Sequence, residues 1–344
     1  MHHGDENAMD EALTLLIPPD VSATIEPDRG RELSHTSEVF GTQWSMRLVR
    51  RDDTDPANDA AYLAQITRAC GQTLGLIDAQ MSLWREGSDI AAYNRLHDGE
   101  DFELREPFRT VVAKALDVAM LTGGAFNPGL YEAVREWGFG ASECADPVAR
   151  GFRHAQARAG LPPEIPALNG NLLPKKDGFT LDLNGIAKGY AVDLLCDVVR
   201  AHPDTAACLI EIGGELKGFG TRADAMPFWT DIVAGDQARA TTYRAALYGW
   251  ACATSGEAER FHQQADRTFS HILDPQTHAS AGTDLIAASV FDKDCAKADA
   301  LATALIVMGS QRALAFAKMQ ELPCILFPRE ELPPILSPTM REWL

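Results

Sequence analysis

From Ala207 to Gly256 the chain reads as strand after strand with no helix between them. ACLIEIGGELKGFG (207–220) has two apolar runs around the Gly213-Gly214 pair, and FWTDIVAGD (228–236) and TYRAALYGWACATSG (242–256) add more. A glycine pair between two such runs marks a hairpin turn. Consecutive strands without crossover helices pair antiparallel, which argues against a doubly wound dinucleotide-binding fold. Long amphipathic patterns occur on both sides of this block, so the fold class expected is α+β, antiparallel sheets with packed helices.

Those helical patterns are Asp59–Gln80, with Leu63, Ile66, Ala69, Cys70, Leu74 and Ile77 at helical spacing, then PFRTVVAKALDVAML (107–121), IAKGYAVDLLCDVVRAH (186–202) and AKADALATALIVMGSQRALAFAKM (296–319). Gly123-Gly124 stop the second. Ser88 sits where it can cap a short helix in MSLWREGSDIAAYNRL. VFGTQWSMRLV (39–49) is expected as the first core strand, with Gly41 as an irregularity or a place where backbone approaches a ligand. FTLDLN (179–184) is expected as a strand leading through Gly185 into a helix. CILF and PPILSP are expected as closing strands, and Trp137 to Gly178 carries little signal beyond loop residues. Residues 1–36, polar and with Pro18, Pro19 and Pro27, are expected to be a mobile or loosely docked arm preceding one domain over 37–344, which can divide into two subdomains around a cleft.

The totals limit the function. Formal net charge is −18 over 344 residues, which argues against a nucleic-acid partner. No apolar run approaches the ~20 residues of a membrane span. The first twenty residues are acidic with only a short apolar run, unlike a secretory signal. A cytoplasmic protein is expected, or a periplasmic one if a signal has been removed. Seven scattered cysteines without a C-x-x-C spacing indicate reduced thiols, with neither a disulfide framework nor a zinc site expected.

Chemistry concentrates in TFSHILDPQT (268–277) and ADALAT (298–303). Asp299 and Thr303 stand four residues apart in a helical pattern, so their oxygens share a face one turn apart. A carboxylate and a hydroxyl, completed by phosphate oxygens, suit Mg²⁺. The turn at Gly185 aims backbone N–H groups and a helix N-terminus outward, a natural phosphate site. These features together suggest a metal-bound diphosphate that the chain cleaves. Lys188 serves that site or is a solvated helix lysine, Trp84 serves the core or a stacking surface, and AFNPGL lines a pocket or merely connects. His271 is a candidate general base that titrates near neutrality. Asp274, three residues on, could orient it or serve the metal; alternatively the two are a loop histidine and a turn residue.

Taken in order, FGTQW, MSLWREGSDIAAYN, GGAFNPGL, LDLNGIAKGYAVD, EIGGELKGFG, ATSG, SHILDPQT and KADALATAL resemble the ApbE family of flavin transferases, over Phe40 to Gly309. The resemblance implies a T-fold-like catalytic domain with a smaller α/β subdomain. It also implies Mg²⁺-dependent transfer of FMN from FAD onto a Thr or Ser of a target flavoprotein, releasing AMP. Gly185, Asp299 and Thr303, with Ala302 beside them, fall on the family's metal site. Phe40, Trp84, Ala125, Phe126, Asn127, Asp182, Lys188 and Ile272 fall on positions that contact FAD. Four positions depart from the family's usual residues: Phe40 for Met, Trp84 for Tyr, Asn127 for Asp, and His278 for Gly. The alternatives are hydrolysis of FAD to FMN and AMP, and a non-catalytic flavin carrier.

Overall fold

A computed structural model describes residues 12–21, 30–141, 144–233, 241–257, 260–265, 267–329 and 332–344. In chain order the elements are β1 (Ala12–Leu16), β2 (Gly30–Val39), β3 (Thr42–Arg51), α1 (Asp59–Met81), α2 (Asp89–Asn94), β4 (Asp101–Glu103), α3 (Phe108–Leu121), α4 (Tyr131–Glu136), α5 (Pro147–Arg158), β5 (Leu172–Pro174) and α6 (Ala187–Arg200). They continue with β6 (Thr205–Ile212), β7 (Glu215–Phe219), β8 (Phe228–Ile232), β9 (Thr241–Leu247), β10 (Ala251–Gly256), β11 (Phe261–Gln264), β12 (Arg267–Ser270), β13 (Leu273–Asp274), β14 (Ala279–Ser280), β15 (Leu285–Asp292), α7 (Cys295–Met319), β16 (Cys324–Pro328), β17 (Ile335–Leu336) and α8 (Pro338–Arg341).

The centre is an eight-stranded sheet in the order β17-β16-β15-β10-β7-β6-β3-β2, antiparallel at every step. Its strands β3, β6, β10 and β15 alternate between two apolar cores, as period-two side chains must. On one face Met46, Leu48, Cys208, Ile210, Ala253 and Val290 pack against α1, α3, α6 and α7. On the other, Val49, Leu209, Cys252 and Phe291 pack against the small sheet β1-β9-β8 and α8. A third, smaller core joins α4 and α5 to the β12–β13 region through Trp137, Phe139, Val148, Phe269 and Leu273. Among the described residues α7 is the helix long and apolar enough to cross a bilayer, and most of it is buried in the main core.

Three sequence expectations change. FGTQW is not the inside of one strand: Phe40 and Gly41, at φ 52° and 74°, form the two-residue turn between β2 and β3. Positive φ at both central positions matches the twist of a hairpin, and a Cβ on Gly41 would meet no atom, so no close approach explains it. FTLDLN is extended but not a sheet strand. The side chain of Asn94 takes both polar groups of Leu181, donating to its carbonyl at 2.9 Å and accepting from its N–H at 2.6 Å. The Asp182 N–H goes to the Pro128 carbonyl at 2.7 Å. This segment is therefore tied to the AFNPGL loop, which a strand pattern alone does not reveal. Thirdly, of the expected arm, Ala12–Leu16 pairs in parallel with β9 and Gly30–Thr36 lies in β2, while residues 1–11 and 22–29 are outside the described residues. Residues 234–236, the end of one expected strand, are also outside them.

The remaining elements follow their signals. Ser88 accepts from the Ala91 N–H and caps α2, and Gly123 and Gly124 adopt φ 60° and 83° to end α3. The glycine hairpin at Gly213-Gly214 joins β6 to β7. Helix α5, in the stretch with little signal, buries Val148, Gly151 and Ala155, mostly small residues in an otherwise polar helix, so few large apolar residues mark it in the sequence.

Candidate active site

Helices α6 and α7 meet backbone to backbone, and the acid of each caps the other. A Cβ on Gly189 would lie 2.3 Å from the Cys295 carbonyl oxygen, so only glycine allows this approach. Asp193 of α6 accepts from the N–H groups of Cys295 and Ala296 at 3.1 and 3.0 Å, at the first turn of α7. Asp299 of α7 accepts from the Gly189 N–H at 3.1 Å, in the first turn of α6. First-turn N–H groups have no partner within their own helix, and the positive end of a helix stabilises a carboxylate. The reciprocal pair thus fixes the register of both helices. It also holds Asp299, buried to 3% exposure, at the floor of a cleft.

One turn along α7, Thr303 reaches the same floor, 3.0 Å from the Ser255 hydroxyl at the end of β10. Gly185 lies directly above: a Cβ there would be 3.3 Å from Thr303 Oγ1 and 3.3 Å from Phe126. Gly185, Asp299 and Thr303, far apart in sequence, therefore converge. The cleft is open to solvent and is bounded on the other side by Leu130, Val134 and Phe139 from the third core and by His271, Ile272 and Leu273.

Charge in the cleft is uneven. Lys188 pairs at 2.8 Å with Glu215, whose side chain is 1% exposed. Asp182 accepts from the Asn184 N–H at 2.8 Å, and burial raises its carboxyl to about 6 despite that bond and the nearby Arg260. His271 is pulled the opposite way, down to about 4, chiefly by burial and then by the charges of Arg260 and Lys188. Its Nδ1 lies 3.0 Å from the Arg260 carbonyl, which only accepts. The neutral ring must then carry its proton on Nδ1, leaving the Nε2 lone pair available.

Among the described residues, no three His, Cys, Asp or Glu side chains gather where they could hold a metal. What the floor offers is one carboxylate and neutral oxygens. That set suits a hard cation drawing the rest of its shell from phosphate and water, as Mg²⁺ does.

Residues 40–326 match the ApbE family. The chain belongs to the ApbE family. It is 30% identical over 290 residues to the FAD:protein FMN transferase of Vibrio cholerae serotype O1, covering 84% of this chain and 85% of that protein. The crystal structure of Pseudomonas stutzeri flavinyl transferase ApbE in its apo form aligns with a TM-score of 0.79 at 29% identity, over 93% of this chain and 98% of that one. The flavin transferase ApbE from Vibrio cholerae aligns at 0.78 and 27%, over 91% and 99%. The α+β architecture read from the strand block is thus the ApbE fold.

Ten of the fourteen residues singled out from sequence line this cleft: Ala125, Phe126, Asn127, Asp182, Gly185, Lys188, His271, Ile272, Asp299 and Thr303. The other four do not. Phe40, at its hairpin turn, lines a separate groove with Trp44, Leu74 and Asp78. Trp84 is 53% exposed and is not among the residues lining the cleft; the guanidinium of Arg260, which is, lies 5.8 Å over its ring. Ala302 is fully buried in the core. Asp274 neither orients His271 nor reaches the floor. Its carboxylate accepts from the Gln276 N–H at 2.8 Å, closing its own turn, and the Arg260 carbonyl takes the place beside His271.

Two departures from the family's usual residues have local explanations. Asn127 accepts from the Gly129 N–H at 2.8 Å and donates to the Pro163 carbonyl at 3.2 Å, the second of which a carboxylate cannot do. His278 holds φ 54°, where glycine is usual. It is kept there by its N–H to the Asp274 carbonyl at 2.7 Å and by the Trp137 indole on its own carbonyl at 2.8 Å.

Sequence reading missed Glu215, Ser255, Arg260 and Phe139 as individual cleft residues. The first two lie inside motifs already noted, GGEL and ATSG. Arg260 and Phe139 stand in loops whose spacing carries no pattern.

Proposed function

We propose that this chain transfers FMN from FAD onto a Thr or Ser hydroxyl of a target flavoprotein and releases AMP. The observation that carries the reading is the convergence of Gly185, Asp299 and Thr303 on the floor of a cleft whose wall holds a neutral imidazole, His271. The names of its relatives, FAD:protein FMN transferase, support the same reaction.

In this reading FAD lies along the cleft with its diphosphate towards Asp299 and Thr303 and its flavin against Ala125, Phe126 and Ile272. Asp299, Thr303 and the backbone at Gly185 hold Mg²⁺, which supplies Lewis-acid stabilisation of the phosphate oxygens. The acceptor hydroxyl approaches the FMN-side phosphorus. His271 Nε2 takes its proton as the new P–O bond forms and the bond to AMP breaks. The Arg260 carbonyl on Nδ1 holds the ring in the tautomer that can accept. The protein contributes positioning and fixed charge, which carry most of phosphoryl-transfer catalysis.

The test is incubation of the protein with FAD, Mg²⁺ and a Thr-containing acceptor peptide, read by mass. An FMN adduct with equimolar AMP is expected. Asp299→Asn, which keeps an oxygen acceptor for the Gly189 N–H, is expected to remain folded and lose turnover. AMP without adduct would assign hydrolysis instead, and full activity of the Asn variant would remove Asp299 from the metal site.

A further inference from the structure

Arg260 belongs to none of the sequence patterns that mark the cleft, yet it touches three parts of it. Its backbone brackets His271, with the carbonyl accepting the His271 N–H at 3.1 Å and facing Nδ1 at 3.0 Å. Its guanidinium donates to the Phe139 carbonyl at 2.8 Å. The same group lies over the Trp84 ring, 5.8 Å from its centroid. Phe139 in turn packs edge-on against the His271 ring at 6.2 Å.

Two cationic side chains line the cleft, Lys188 and Arg260. Lys188 is engaged by the buried Glu215 carboxylate. Among the described residues Arg260 makes no close ion pair, although Asp182 lies near enough to feel its charge; its direct contacts are one neutral carbonyl and an aromatic face. A guanidinium has five donors in a planar fork that fits phosphate oxygens, and a neutral carbonyl occupies only one of them. An exposed arginine held at the mouth in this way retains donors to spend on an anion.

We propose that Arg260 is the side chain that binds the diphosphate of the dinucleotide, reaching inward from the Phe139 carbonyl while Trp84 keeps its guanidinium plane over the mouth. This inference rests on the flavin-transfer reading. It adds a phosphate-contacting residue on the His271 side of the cleft, opposite Asp299 and Thr303. Placing the cation and the imidazole on one short segment couples binding of the charged group to placement of the base.

The full chain, with Mg²⁺ present, is titrated with FAD and with riboflavin, which shares the ring but has no phosphate, following flavin fluorescence for the native protein, Arg260→Gln and Arg260→Lys. Arg260→Gln is expected to weaken FAD binding about tenfold or more, as loss of a charge-assisted hydrogen bond does. Riboflavin binding is expected to be unchanged, and Arg260→Lys to recover part of the loss. Equal weakening of FAD and riboflavin would make Arg260 a merely structural tie between Phe139 and Trp84, and unchanged FAD binding would remove it from the site; either overturns the proposal. If the native protein binds no FAD at all, the flavin-transfer reading itself fails, an outcome distinct from both.

Discussion

Replacing Asp182 by Asn is expected to make the protein more stable at neutral pH, an unusual direction for a change inside an active-site cleft. The carboxyl is lifted from 3.8 to about 6 because burial penalises its charged form more than the Asn184 N–H and Arg260 favour it. The sign follows by linkage: between those two values the native state holds a proton that the unfolded state has released, so stability falls as pH rises through that window. Above pH 6 the native protein carries the whole penalty, about 3 kcal/mol at about 1.4 kcal/mol per pH unit. Water entering the open cleft reduces that figure, so about 1–3 kcal/mol is expected at pH 7 and about half as much at pH 5. Asn keeps an oxygen to accept from Asn184 N–H, so the local turn survives. Urea unfolding at both pH values, with exposed Asp177→Asn as a control for net charge, measures the difference. A gain no larger than the control's, or one equal at pH 5 and pH 7, would refute desolvation as the source of the raised value.

Two further outcomes are expected. His271→Ala should lower kcat by about 10²- to 10⁴-fold with FAD affinity retained; because the imidazole is held neutral down to about 4, the acid limb of the native kcat/KM profile should fall well below 6.5, and a limb at 6.5 would show that the buried ring is not the titrating base. Gly189→Ala drives a methyl group to within 2.3 Å of the Cys295 carbonyl, so it should force α6 and α7 apart, cost about 1–3 kcal/mol and reduce turnover through Asp299; thermal melting and kcat together check this, and an unchanged melting temperature would mean the helices do not need their close approach.

How far the sequence could be read depended on whether the information was periodic. The uninterrupted strands from Ala207 to Gly256 and the long amphipathic helices gave the antiparallel sheet with its helical layer, because alternation and helical spacing are local properties. Asp299 and Thr303 were legible for the same reason, one helical turn apart. Gly185 could be joined to them only through family resemblance, since no local pattern says that residues 185 and 303 touch. Asp274 misled because its spacing from His271 suggested a pair, whereas an Asp before Pro-Gln closes its own turn. Asn94, which gives both its amide groups to Leu181 and so keeps FTLDLN out of the sheet, looked like any polar residue at the end of a short helix. Arg260 was invisible because its position depends on where three loops meet.

The charges of the cleft explain how an acidic chain could handle an anionic substrate. A net charge of −18 repels a diphosphate at long range, but screening confines that field to about 8 Å at physiological salt, so the groups lining the cleft decide. Three carboxylates, Asp182, Glu215 and Asp299, face two cations, Lys188 and Arg260. The ion pair cancels Glu215 against Lys188, while Asp182, raised only to about 6, still carries most of its charge at neutral pH. What remains is Arg260 at the mouth against Asp182 and Asp299, the latter at the floor. An anion placed between Arg260 and Asp299 is drawn to the first and repelled by the second unless a cation sits on the floor, so binding of the diphosphate and of the metal must each strengthen the other. This reciprocity follows from the placement of two side chains and does not depend on the total charge of the chain.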